Sequence, residues 1–123
     1  MTDATLHSQR IDGGVVLSLS GEIDLENAGR ARDRIVDELG SGRNGVVLDL
    51  TGISHLDSAG VRLLFDLAGR MQEHRQQLAV VAPPDTLARD VLRVVSLETV
   101  VPVTDTLDEA LGHVRHRPSS AGP

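Results

Sequence analysis

A short polar cluster at residues 53–60 contains the side chains of this sequence that could take part in chemistry. It follows an apolar run typical of a buried strand and precedes a helical pattern, so we place it at a strand-to-helix junction. Asp57 or Ser58 can accept hydrogen bonds from the first amides of that helix, which predicts a structural N-cap. The same helix end favours negative charge, and small Ala59 and Gly60 leave room for a kinase, so Ser58 could instead carry a phosphate.

Other chemistry is less well supported by the spacing of the candidate residues. His55, Asp57 and Ser58 supply the residue types of a hydrolase triad, but three residues this close in one segment rarely reach the relay geometry, and a G-x-S-x-G elbow is missing. His113 and His116 share a predicted helix without a carboxylate on the same face, which does not favour a metal site. The sequence has no lysine, so it lacks a nucleotide-binding G-x-x-x-x-G-K-[ST] loop. We expect no enzyme, no cofactor and no metal.

The composition limits the class of protein further. The 123 residues suffice for one domain, and 12 arginines against 18 acidic residues give a formal net charge of −6, which argues against nucleic-acid binding. Cysteine is absent and Phe65 is the only aromatic residue, so the core must be aliphatic. The N-terminus lacks the pattern of a signal peptide, and the longest apolar run, at residues 78–82, is too short to cross a membrane. We expect a cytoplasmic protein.

The apolar periodicity predicts nine elements in the order β-β-α-β-α-β-α-β-α. The predicted strands span residues 6–10, 15–20, 45–50, 78–82 and 100–103. The predicted helices begin at residue 25, at 57 or 58, at Pro84, and at 105 or 106, and Gly40 ends the first. Their apolar stripes are Ala28, Ala31, Ile35 and Leu39; Val61, Leu64, Phe65, Ala68 and Met71; Leu87, Val91 and Val95; and Leu107, Ala110, Leu111 and Val114.

This order predicts an α/β domain with a mixed sheet and an N-terminal hairpin. Residues 12–14, Asp-Gly-Gly, suit the reversal between the first two strands. The later strands alternate with helices and therefore require parallel pairing through right-handed crossovers. We expect residues 1–116 to form the domain and residues 117–123, rich in Pro, Ser and Gly, to form a disordered tail.

Three short motifs together resemble the bacterial anti-sigma factor antagonists, which are STAS-domain proteins. The motifs are GEID at residues 21–24, VVLDL at 46–50 and LDSAG at 56–60. Each is weak alone, but all three occur in the right order and at the predicted strand ends or helix start. The resemblance implies a single STAS-like domain.

The resemblance also implies a function. In that family an anti-sigma factor that is itself a serine kinase phosphorylates the serine that matches Ser58, and the unphosphorylated antagonist binds this kinase so that a sigma factor is released. A PP2C-type phosphatase resets the phosphorylated form. Asp24 would lie beside the acceptor and Asp57 would be a second acidic neighbour. The implied partner-binding residues are Asp24, Asp57, Ser58, Ala59, Gly60 and Arg62.

Electrostatics predicts the direction of such a switch. A phosphate adds about −1.5 to −2 charges next to two carboxylates, so association with the kinase should weaken. Ala59 stands where a second hydroxyl is common, which leaves Ser58 as the hydroxyl of residues 57–60, although Thr51 and Ser54 lie upstream. His55 and Arg62 also depart from the family pattern and would lie near the contact surface.

Two other functions remain open on the sequence. One is a STAS-like accessory domain that docks on a transporter or on a sensory or stress complex and is never phosphorylated, since a fold alone does not fix a function. The other is a scaffold that uses its exposed helix faces only. The sequence is compatible with a monomer or a weak dimer.

Overall fold

The secondary structure follows the predicted order along residues 4–11, 14–39 and 45–115, which are the residues that a computed structural model of the chain describes. The strands are β1 (Thr5–Ile11), β2 (Gly14–Ile23), β3 (Gly45–Leu56), β4 (Gln77–Val81) and β5 (Val103–Thr104). The helices are α1 (Ala28–Leu39), α2 (Ser58–Glu73), α3 (Leu87–Val94) and α4 (Leu107–Arg115), with a 3-10 turn at Leu97–Thr99 between α3 and β5.

The strands form one mixed sheet in the spatial order β1-β2-β3-β4-β5. β1 pairs with β2 in antiparallel fashion, and the other neighbouring pairs are parallel. The predicted mixed sheet with an N-terminal hairpin is therefore confirmed. Because β2 to β5 run in the same direction, their carboxyl ends share one edge of the sheet, and the loops that lead into the four helices meet there.

The sheet has an aliphatic core on each face. On one face Leu17 and Leu48 pack in the larger cluster with residues of α1, α2 and α3. On the other face Val16, Val47 and Ala110 belong to a smaller cluster that α4 covers. This division follows from the period of two along a strand, which sends successive side chains to opposite faces.

The end of β3 differs from the prediction and is important for the candidate site. The strand does not stop at residue 50 but continues to Leu56, paired with the last residues of β2. The segment after residue 50 is rich in exposed polar side chains and therefore resembles a loop in sequence. Two irregularities in the β2–β3 register accompany this extension, and Gly21 adopts a φ of 93°, which a glycine accommodates without a steric penalty.

Two helices begin later than predicted. α1 begins at Ala28 and not at residue 25, because the residues before it form a separate turn. α3 begins after Thr86, whose hydroxyl accepts a hydrogen bond from the Arg89 amide, so Pro84 lies in the preceding turn and not in the first helical turn. The two predictions had different grounds: the apolar spacing extended α1 back to residue 25, whereas the preference of proline for a first helical turn moved the start of α3 to Pro84.

Several buried positions also differ from the predicted stripes. In α3 the buried residues are Ala88 and Leu92, whereas Leu87 is exposed. In α2 the predicted Val61 and Phe65 are only partly buried, and the prediction omitted two buried leucines, Leu63 and Leu67.

The fifth strand and the chain termini complete the comparison with the sequence. β5 comprises Val103–Thr104 and not residues 100–103, because the 3-10 turn occupies the preceding segment. α4 begins after Thr106, in agreement with one of the two predicted starts. The turn at residues 12 and 13, Gly40, His116 and the tail at 117–123 lie outside the described residues.

Candidate functional site

The paired ends of β2 and β3 bring two acidic residues together at the carboxyl edge of the sheet. The last register pair joins Ile23 to Leu56, so Asp24 and Asp57 follow directly on neighbouring strands. The Asp57 amide donates a hydrogen bond to the Ile23 carbonyl at 3.3 Å. The Leu25 amide in turn donates to Asp57 Oδ2 at 3.2 Å. These bonds join the β2–α1 turn to the start of α2.

Asp57 is the N-cap of α2, which resolves the choice between Asp57 and Ser58. Its Oδ1 accepts from the amides of Ala59 at 2.9 Å and Gly60 at 3.2 Å. Its backbone is extended, with φ −95° and ψ −170°, as N-cap residues usually are. Both carboxylate oxygens are therefore engaged by backbone amides, one within the helix start and one across to the β2–α1 turn.

Ser58 is the first residue of α2 and its side chain is exposed. Its hydroxyl makes no hydrogen bond within the part of the chain that the structure describes. The two upstream hydroxyls differ from it in this respect. Thr51 donates to Asp49 Oδ1 at 2.6 Å, and Ser54 donates to the Gly21 carbonyl at 3.2 Å. All three residues are exposed, and Ser58 is the one whose hydroxyl has no hydrogen bond to a described residue.

Asp24 organises its own turn and does not contact Ser58. Its Oδ1 accepts from the amides of Glu26 at 3.0 Å and Asn27 at 3.2 Å. Asn27 returns the bond, because its Oδ1 accepts from the Asp24 amide at 3.0 Å. The Asn27 side-chain amide also donates to the Glu22 carbonyl at 2.7 Å. Asp24 lies near Asp57 through this turn, as a half-buried carboxylate close to the acceptor and not as a group bonded to it.

The sequence analysis did not identify Asn27, although it is one of the two buried polar residues among those described and is 6% exposed. The spacing Asp-x-x-Asn was available as a signal, because reciprocal side-chain bonds three residues apart are a known device at helix starts. The prediction assigned this stretch to the helix itself, so the reciprocal pair was missed.

The remaining predicted partner-binding residues have different environments. Ala59 is half-buried, whereas Gly60 is buried, and a Cβ at Gly60 would collide with Leu56 and come within 3.1 Å of Ile23 Cγ2. Gly60 therefore allows the first turn of α2 to pack closely on the strand ends. Arg62 is exposed one turn into α2 and makes no ion pair with any residue that the structure describes.

One chemical expectation from the sequence is corrected by these contacts. Free amides at the start of α2 were expected to accommodate a phosphate on Ser58. The amides of Ala59 and Gly60 are instead taken by Asp57, so a phosphate there would lie beside this carboxylate and not in an empty amide cradle.

Other possible sites are not assembled in the described ranges. No group of three or more His, Asp or Glu side chains in residues 4–11, 14–39 and 45–115 could hold a metal ion. His55 is exposed near the end of β3 and not in a loop. None of the helices within those ranges combines the length and the apolar character needed to span a membrane.

Comparison with known proteins shows the family. The model of the STAS domain matches residues 5–110, so the chain belongs to the STAS-domain family. A crystal structure of an anti-sigma factor antagonist from Mycobacterium paratuberculosis is similar, with 28% identity and a TM-score of 0.81, and the match covers 92% of this chain and 95% of that one.

More distant relatives show how widely this fold is used. The Bacillus cell fate determinant SpoIIAA in its phosphorylated form shares the fold at 20% identity, with a TM-score of 0.64 and coverage of 90% of this chain and 100% of that one. An Arabidopsis thaliana protein named as a probable sulfate transporter is 26% identical over 91 residues, which are 65% of this chain but 14% of the plant protein. The chain therefore matches proteins of very different size.

Proposed function

We propose that this protein is a non-enzymatic anti-sigma factor antagonist of the cytoplasm. In its unphosphorylated form it binds an anti-sigma factor that is a serine kinase, and a sigma factor is thereby released. Phosphorylation of Ser58 by the bound kinase ends the association, and a PP2C-type phosphatase restores the binding form. Asp24, Asp57, Ala59, Gly60 and Arg62 form the surface around the acceptor.

The state of the Ser58 hydroxyl carries this proposal. It is exposed at the start of a capped helix and has no hydrogen bond within the described residues, whereas Thr51 and Ser54 are both engaged. A hydroxyl without such a bond can enter a kinase active site without the cost of breaking one. The helix cap does not depend on Ser58, so modification leaves the start of α2 intact.

Local electrostatics supports the direction of the switch. Asp57 immediately precedes Ser58, Asp24 lies in the turn that Asp57 holds through the Leu25 amide, and the chain as a whole has a net charge of −6. A phosphate adds about −1.5 to −2 charges to this acidic surface, and a contact that excludes water from Ser58 would have to desolvate it. A loss of about 2.7 kcal/mol of binding free energy would raise the dissociation constant roughly a hundredfold, which suffices to exchange partners.

The experiment uses the purified protein and each anti-sigma factor kinase encoded by the same genome. Dissociation constants are measured by calorimetry for the wild type, Ser58→Ala and Ser58→Glu. We expect one kinase to bind the wild type and Ser58→Ala equally, and Ser58→Glu about a hundredfold more weakly. With ATP, phosphopeptide mass spectrometry should find phosphate on Ser58 and none on Thr51 or Ser54.

Asp57→Asn tests the charge of the cap, because asparagine caps a helix nearly as well as aspartate does, although its single oxygen leaves the Leu25 amide without an acceptor. It should bind the kinase with Ser58 intact and should reduce, but not remove, the penalty of Ser58→Glu. The proposal is overturned if none of the kinases binds the wild type, or if Ser58→Ala and Ser58→Glu bind with the same affinity.

A docking role on a transporter is the second candidate, and the match to the plant transporter favours it. In that case the protein should bind a transporter subunit from the same organism with equal affinity for Ser58→Ala and Ser58→Glu. Co-purification of tagged protein with solubilised membranes, compared between these two variants, separates the two functions.

A further inference from the structure

Leu25 is an exposed apolar side chain beside the candidate phosphorylation site. It is 81% exposed and lies in the turn between β2 and α1. A single exposed leucine is ordinary on a protein surface. The position of this one is unusual, because its own amide donates to Asp57 Oδ2, the carboxylate that caps α2 immediately before Ser58. The Leu25 backbone is therefore bonded to the residue that immediately precedes Ser58, and both Leu25 and Ser58 are exposed.

The backbone that presents Leu25 is fixed on both sides. Before it, the Asp24 amide is bonded to the Asn27 side chain, and after it, the amides of Glu26 and Asn27 are bonded to the Asp24 carboxylate. Asn27 is itself buried and tied to the Glu22 carbonyl. A side chain on such a pre-organised turn loses little backbone entropy when a partner covers it, so more of its contact energy remains as affinity.

We propose that the anti-sigma factor kinase binds this protein through Leu25, which acts as an apolar anchor while Ser58 lies in the kinase active site. The inference rests on the proposed function and adds a determinant of partner choice to it. Asp24, Glu26 and Asp57 surround Leu25 in the sequence or in space. The matching surface on the kinase is therefore an apolar pocket with arginine or lysine at its rim.

Val94 provides the matched comparison within the same molecule. It is 84% exposed, as much as Leu25, but it lies at the end of α3. No hydrogen bond in the described residues links Val94 to Asp57 or to Ser58. If exposure alone determined how much an apolar residue contributes to kinase binding, both positions would contribute equally. If the position beside Ser58 matters, only Leu25 would contribute.

The experiment compares Leu25→Ala, Leu25→Met and Val94→Ala with the wild type, using the kinase that binds the wild type and discriminates against Ser58→Glu. We expect Leu25→Ala to raise the dissociation constant about ten- to thirtyfold. Leu25→Met should recover most of the lost affinity, and Val94→Ala should have no effect. In steady-state phosphorylation of Ser58, Leu25→Ala should raise KM and leave kcat unchanged, because the anchor acts equally before and during phosphoryl transfer.

Thermal unfolding of the variants supplies the folding control, since truncation of an exposed side chain should leave the melting temperature within a few degrees of the wild type. The inference is overturned if Leu25→Ala binds as tightly as Val94→Ala. In that outcome a persistent penalty of Ser58→Glu leaves the proposed function standing. If no kinase binds the wild type, the proposed function fails and this inference fails with it.

Discussion

The starts of α2 and α4 lie at the same edge of the sheet and differ in how completely their polar groups are engaged. At the start of α4 the Thr106 hydroxyl accepts from the Glu109 amide at 3.2 Å, and the Glu109 carboxylate accepts from the Thr106 amide at 3.2 Å. Asp105 completes the arrangement through an ion pair with Arg89 at 2.6 Å. The side chains at this junction bond to one another.

At the start of α2 the Asp57 side chain bonds to backbone amides, and the neighbouring exposed groups have no such bonds within the described residues. Asp57 caps the helix and holds the Leu25 amide, but the Ser58 hydroxyl and the Leu25 side chain are exposed. Both helices have a side-chain cap, so the cap itself does not distinguish the candidate functional site. It is the combination of a rigid frame and unengaged groups that the frame presents.

The largest effect expected at the open junction comes from Asn27→Ala. This change removes the buried Asn27 side chain and leaves the half-buried Glu22 carbonyl and Asp24 amide without their side-chain partner, which should lower the free energy of unfolding by about 2 to 3 kcal/mol. Urea denaturation measures the loss. The counterpart at the closed junction, Glu109→Ala, removes exposed bonds only and should cost about 1 kcal/mol. Equal losses would contradict the distinction between a buried frame and an exposed one.

A smaller effect is expected from loss of the cap. Asp57→Ala removes the bonds to Ala59 and Gly60 and the tie to Leu25, so the free energy of unfolding should fall by about 1 to 2 kcal/mol. Ser58→Ala is the matched control at the adjoining position and should change stability by less than about 0.5 kcal/mol. Chemical denaturation of both variants decides the matter, and a loss above roughly 2 kcal/mol for Ser58→Ala would make Ser58 the structural residue.

The smallest effect concerns the ion pair of the closed junction. Arg89 and Asp105 are 22% and 49% exposed, so Asp105→Asn should lower the free energy of unfolding by about 0.5 kcal/mol. The loss should disappear in about 1 M salt, where the screening length is only about 3 Å. Unfolding curves at low and high salt test this. A loss of unfolding free energy that does not depend on salt would show that Asp105 acts through its backbone geometry instead.

Much of the fold could be predicted because it depends on local periodicity. The alternation of apolar residues predicted the hairpin, the order of nine elements and the parallel core strands. The continuation of β3 could not be predicted in this way. Its last residues are largely polar and exposed, and they form a strand because β2 pairs with them and not because of their own pattern.

The candidate site was predicted in part for the same reason. The sequence located the helix start but left Asp57 and Ser58 as equal candidates for the cap, since both residue types can serve. Leu25 was assigned to α1 because it continues the apolar spacing of that helix. The structure places Leu25 in the turn before α1, where the reciprocal bonds between Asp24 and Asn27 hold the chain at the start of the helix.

The α/β class, the order of elements and the polar helix start at Asp57 and Ser58 could be read from local patterns in the chain. The pairing of β2 with β3 was needed to show which of the two residues is the cap, which hydroxyl stays without a hydrogen bond and how Leu25 is held next to Asp57. The physical reason is the separation along the chain. Leu25 and Asp57 are 32 residues apart, and they meet because the β2–β3 register ends at the pair Ile23 and Leu56.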